Sequence, residues 1–134
     1  MDFEKLLIKS YKYWDAKIHH SQNCIGKCLL WYKGDEEKDF LELNDEEQEE
    51  FWVVAKKLRV TLEKLFSPDR FNYLSAGNQT PHLHFHIIPR YKDKREFNGV
   101  VFEDVDFGTF ATAKNEVSED ILVAIRDEIR KLMK

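Results

Sequence analysis

The run Pro81-His82-Leu83-His84-Phe85-His86-Ile87-Ile88-Pro89 constrains this chain more than any other stretch of it. Side chains alternate across an extended segment, so His82, His84 and His86 line one face while Leu83, Phe85 and Ile87 point into a core. Pro81 and Pro89 bracket the segment, at positions where a sheet tolerates proline. Three of the chain's five histidines fall at this strict period of two. A solvent-facing strand that carries histidine by chance is a poor account of that.

Around this strand the pattern reads as an α+β domain spanning residues 1–134. Asn44-Asp45-Glu46-Glu47 is a helix start, with Asn44 able to cap and Glu47 three residues later able to reach back. Phe51, Val54, Leu58, Leu62 and Leu65 then keep one face apolar until Pro68 stops the helix near Phe66-Ser67. Ser118 opens a last helix whose buried stripe is Ile121, Leu122, Ile125, Ile129 and Leu132. A short amphipathic start (Phe3, Leu6, Leu7) leads into a strand in YKYWDAKIHH, with CIGKCLLWYK as its hairpin partner across Asn23–Gly26. FLEL reads as a short extended piece and RFNYLSAG as a strand. The stretch from Pro89 to Asn115 is expected to be mostly loop. Two helices and about five mostly antiparallel strands result, with no linker or repeat to mark a second domain.

Composition narrows the function classes. No apolar run is long enough to span a membrane, and the opening MDFEKLLIKSYKYW lacks the apolar region of a secretory signal, so a cytoplasmic address is expected. A net charge of −4 argues against a broad nucleic-acid surface. The acid-rich residues 35–50 read as a solvated face. The basic RYKDKR at 90–95 directly follows the histidines and suggests an anionic ligand. Cys24 and Cys28, both placed on the strand, would lie about 13 Å apart. Such thiols cannot share one zinc ion at Zn–S distances of about 2.3 Å, so buried reduced thiols are expected and no metal site.

A row of imidazoles suits two chemistries. Two of them could bind a metal with a ligand from elsewhere. Alternatively, one neutral imidazole attacks an anionic phosphorus centre while a neighbour donates a proton to the leaving group. The preceding Gly77-Asn78-Gln79-Thr80 offers backbone access, two amides and a hydroxyl to hold phosphate oxygens.

PHLHFHIIPRY resembles the H-φ-H-φ-H-φ-φ signature of the histidine-triad superfamily, and the resemblance extends over Phe71-Asn72-Tyr73 and REFNGVVFEDVDFG. It implies a five-stranded antiparallel sheet with one long central helix and a C-terminal helix near the dimer or the site. It further implies a homodimer that binds purine nucleotides and cleaves at the α-phosphorus without a cofactor. In that reading His84 is the nucleophile, His86 bonds the phosphate or leaving-group oxygen, and His82 orients its neighbours. Asn72, Gly77, Asn78 and Gln79 fall where the family places phosphate contacts. The chain departs from the family in one respect: a further histidine that many relatives carry after the hairpin is absent, and Lys33-Gly34-Asp35-Glu36 takes its place. Trp14, Ile18 and Leu30 are candidates for base contact, with plain core as the alternative.

Overall fold

Asn44 caps the long helix α1 (Asp45–Phe66) in the manner its sequence requires. Its Oδ1 accepts from Glu47 N at 2.9 Å, and Glu47 Oε1 accepts from Asn44 N at 3.0 Å. Glu47 is itself buried, and it draws three other parts of the chain to this end of the helix. Its carboxylate accepts from the Tyr32 hydroxyl and from Lys38 Nζ, and its carbonyl accepts from Trp14 Nε1 at 2.9 Å. Burial alone would raise the Glu47 pKa, but these donors hold it below the usual carboxylate range. At the other end, Ser67 adopts a left-handed conformation. Arg95 donates to the Phe66 and Ser67 carbonyls at 2.8 Å, placing a cation on the helix's negative end.

The computed structural model describes residues 3–133, and the side chains of 4–133. A five-stranded antiparallel sheet runs in the order β1-β2-β3-β5-β4, from β1 (Leu7–Ser10), β2 (Trp14–Ile18), β3 (Cys28–Tyr32), β4 (Arg70–Leu74) and β5 (His84–Arg90). Alternation gives this sheet one apolar face. Trp14, Ala16 and Ile18 of β2 and Cys28, Leu30 and Tyr32 of β3 are buried there. Against them α1 places Val54, Leu58, Thr61, Leu62 and Phe66, and the second helix α2 (Glu119–Leu132) places Leu122, Ile125 and Ile129. Ser118 caps α2 through Ile121 N. No helix among the described residues is long and apolar enough to cross a membrane.

Several expectations need correction. FLEL is a 3-10 turn (Phe40–Glu42) rather than an extended piece, because Asp39 and Glu42 form a capping box of their own. The stretch after Pro89 contains a small hairpin, β6 (Arg95–Phe97) and β7 (Val100–Phe102), closed by Asn98 and Gly99, both with positive φ. Cys24 does not lie on β3. It sits in the turn before it, where Gly26 takes φ 88° and a Cβ there would meet Leu62 at 2.9 Å. Both thiols are buried and free, and burial pushes the Cys24 pKa up to about 12. Leu132 is exposed and Met133 is buried in its place. Helix α2 packs against β1 and β2, three and two strands from β5, so it does not lie beside the histidine run. Of the apolar start, the Phe3 side chain lies outside the described residues.

Candidate active site

The sheet face turned away from the helices carries the histidines. The register places His84 opposite Trp31, and His86 opposite both Leu29 and Leu74. Asn72 stands opposite Ile88 on the same face. The rings form a continuous set. His84 and His86 are 5.1 Å apart between centroids, Trp31 stacks on His84 at 5.5 Å and on His82 at 4.6 Å, and His19 lies 5.4 Å from His86. Lys17 Nζ sits 5.2 Å above Trp31, the separation of a cation–π contact.

Hydrogen bonds fix two of the three triad rings. His82 lies just ahead of β5, and its Nε2–H donates to the Tyr32 carbonyl at 2.5 Å, bracing β5 against β3. The Nδ1 of His84 lies 2.7 Å from the His82 carbonyl oxygen. A carbonyl can only accept, so Nδ1 carries the proton and the Nε2 of neutral His84 is left with its lone pair. His86 differs: its Nδ1 is buried and has no partner. Burial first, then Lys27 and His84, pull the His86 pKa down to about 4, and burial, Lys27, His20 and His86 pull that of His19 down to about 3. Both imidazoles are therefore neutral near pH 7.

The other expected contacts fall unevenly. Asn72 reaches the histidine face, but its Oδ1 is taken by Arg90 at 2.7 Å. Gly77 turns the loop between β4 and β5 with φ 66°, and Asn78 and Gln79 are exposed on it. Gly77, Lys38, Phe40, Pro81 and His82 border a cavity of about 480 Å³. A larger one, about 850 Å³, is bordered by Asn72, Leu74, Ile88, Thr109 and Phe110. Neither is lined by His84 or His86, which lie on the half-buried sheet surface. Trp14, Ile18 and Leu30 are fully buried under the helices, so they are core and cannot touch a base.

The two arginines of the basic stretch serve the fold instead of an anion. Arg90 uses all its donors internally: Asp104 at 2.7 and 3.1 Å, Asn72, and the carbonyls of Thr109 and Asp106 at 2.8 Å. It thereby ties residues 104–109 to the sheet. Arg95 is spent on the end of α1. Sequence reasoning missed His19, Lys27 and Trp31. Trp31 lies on β3, and His19 and Lys27 extend the β2–β3 ladder by one pair; their odd-numbered positions place them on the histidine face. Among the described residues, no group of three or more His, Cys, Asp or Glu is placed to hold a metal ion.

A family model described as HIT domain matches residues 26–93, half of the chain. A bis(5'-adenosyl)-triphosphatase of Dictyostelium discoideum is 29% identical over 70 residues, covering 48% of this chain and 47% of that protein. An asymmetrical bis(5'-nucleosyl)-tetraphosphatase of Schizosaccharomyces pombe is 30% identical over 70 residues, covering 48% of this chain and 38% of that protein. The chain thus spans less than half the length of either relative. Among solved structures, a histidine triad protein of Bradyrhizobium japonicum matches with a TM-score of 0.74 at 16% identity, covering 96% of this chain and 90% of that one. One from Marinobacter aquaeolei matches at 0.73 and 20% identity, covering 99% and 95%. At such identities these two likenesses speak for the fold alone.

Proposed function

Because this chain belongs to the HIT domain family, we propose that it is a nucleotidyl hydrolase acting at the α-phosphorus of a purine nucleotide, with His84 as nucleophile. The observation that carries the reading is the bond from His84 Nδ1–H to the His82 carbonyl. It fixes the tautomer in which Nε2 is free to attack. The Nε2–P bond forms as the bond from phosphorus to the leaving-group oxygen breaks. The leaving group departs as an anion, a ring N–H of His86 donating a hydrogen bond to the oxygen that takes up the charge. Water then attacks the same phosphorus, the N–P bond breaks, one water proton passes to solvent, and the nucleoside monophosphate leaves with neutral His84 regenerated. Asn72, Gly77, Asn78 and Gln79 hold phosphate oxygens in this scheme, and His82 orients the nucleophile through its carbonyl.

The substrate class is a dinucleoside polyphosphate, a nucleoside phosphoramidate or an adenylylated compound, and no cofactor or metal takes part. The names of the two relatives support the first of these. A homodimer belongs to the same reading. It is supported by the open edge of β4, where Tyr73 and Leu74 are exposed, and by Trp52, Val53 and Val60 exposed on α1. A cytoplasmic address completes it.

Diadenosine triphosphate incubated with the protein and a chelator should yield AMP and ADP. Two molecules of ADP formed only when inorganic phosphate is added would mark a phosphorylase instead. Activity abolished by the chelator and restored by zinc, or a tight AMP complex with no release over hours, would contradict the proposal.

A further inference from the structure

Lys27 is 8% exposed, and among the described residues its ammonium group, which still reaches solvent, has no hydrogen-bond or ion-pair partner. Its backbone is held firmly. The carbonyl accepts from His19 N at 2.9 Å and Gln22 Nε2 at 3.0 Å, and its N–H donates to Cys24 O at 3.0 Å. These bonds extend the β2–β3 ladder by one pair, setting Lys27 opposite His19. Two residues along the same strand, Leu29 stands opposite His86. Parity therefore puts the Lys27 side chain on the face that holds His19, His84 and His86.

The second observation is the buried Nδ1 of His86, which also lacks a partner. An unpaired cation and an unsatisfied imidazole nitrogen on one face share one natural complement, an anion bearing several acceptor oxygens. We propose that Lys27 is a phosphate-binding residue of the His84 site: its ammonium meets a non-bridging oxygen of the substrate's phosphate beside His86. This rests on the reading of the site under Proposed function and adds to it a residue the sequence pattern did not single out. The arrangement supplies positive charge where negative charge gathers. Burial lowers the proton affinity of Lys27, with nearby Cys24 opposing, and an arriving anion reverses that effect.

The test compares the full chain with its Lys27→Met variant, which keeps the length of the side chain and removes its charge. AMP and adenosine are titrated calorimetrically against both. AMP affinity should fall at least tenfold in the variant, while adenosine, which has no phosphate, binds both alike. The variant should melt no lower than the parent, because it loses an unpaired charge rather than a contact. The His86 imidazole, followed by NMR, should titrate at higher pH once Lys27 no longer faces it; His19, His20 and His84 remain as its charged or titratable neighbours. Equal AMP affinity in the two proteins, or a parent that binds AMP no tighter than adenosine, would overturn the proposal. Diadenosine triphosphate hydrolysis by the parent is measured separately, so a protein that binds AMP through Lys27 without turnover contradicts the hydrolase reading alone.

Discussion

Replacing His84 by Asn is expected to lower turnover by roughly 10⁴-fold or more, the scale seen when a nucleophile is removed from a covalent mechanism. The fold should survive. His84 is half-buried, makes one hydrogen bond to the His82 carbonyl, and stacks on Trp31; an asparagine amide can still donate to that carbonyl. Thermal unfolding should therefore stay within a few degrees of the parent, and AMP should still bind, since the amides of the Gly77 loop and Lys27 remain. Single-turnover assays with melting curves on the same preparations check both halves. A variant that keeps a tenth of the parental rate would mean that another group attacks phosphorus.

Arg90→Met should give the largest loss of stability, for a different reason. The Arg90–Asp104 pair is almost wholly buried, with side chains 3% and 2% exposed. Asp104 draws further donors from Tyr91 N and Asp106 N. Removing the guanidinium strands a carboxylate in a dry site, and breaking such a pair costs about 3–5 kcal/mol. For a chain of this length that lowers the melting temperature by roughly 10–20 °C. It also frees the carbonyls of Asp106 and Thr109, so residues 104–109 keep only the Tyr91 N–Asp104 bond there, and Asn72 Oδ1 loses its partner. The double variant Arg90→Met with Asp104→Leu removes both charges and should regain much of the loss. A single variant that melts within a few degrees of the parent would show that the pair contributes little.

The parts of this molecule that were legible in its sequence are those where one period runs long enough to outweigh local accidents. Helix α1 repeats its apolar stripe over five turns between a capping box and Pro68 and stands as read, whereas β5 keeps the histidine spacing but runs His84–Arg90, leaving His82 ahead of it and taking in Pro89. Short elements carried weaker signals. β1 has four residues, and a bulge between Leu7 and Lys9 breaks its register, so no alternation survives to be read. The β6–β7 hairpin was announced by Asn98-Gly99, but with three residues on each side it left no periodic pattern. FLEL has β-like composition, and its capping box at Asp39 and Glu42 overrode it.

The site shows the same division. The histidine row came from spacing within one strand, whereas Lys27, His19 and Trp31 come from neighbouring strands whose register no single segment reveals. RYKDKR looked like an anion site because charge is visible in sequence and partners are not. Asp104, fourteen residues from Arg90, takes the guanidinium out of play. Cys24 was misplaced because its segment reads as one strand, while Gly26 needs a turn there for α1 to pack against it.

The most direct test of the central chemical claim is the stereochemical course at phosphorus. A dinucleoside triphosphate made chiral at the α-phosphorus with sulfur is hydrolysed in water enriched in oxygen-18, and the configuration of the thiophosphate product is determined. Attack by His84 followed by attack of water inverts the centre twice, so the product should retain its configuration. Inversion would mean a single displacement by water, and His84 could not be the nucleophile.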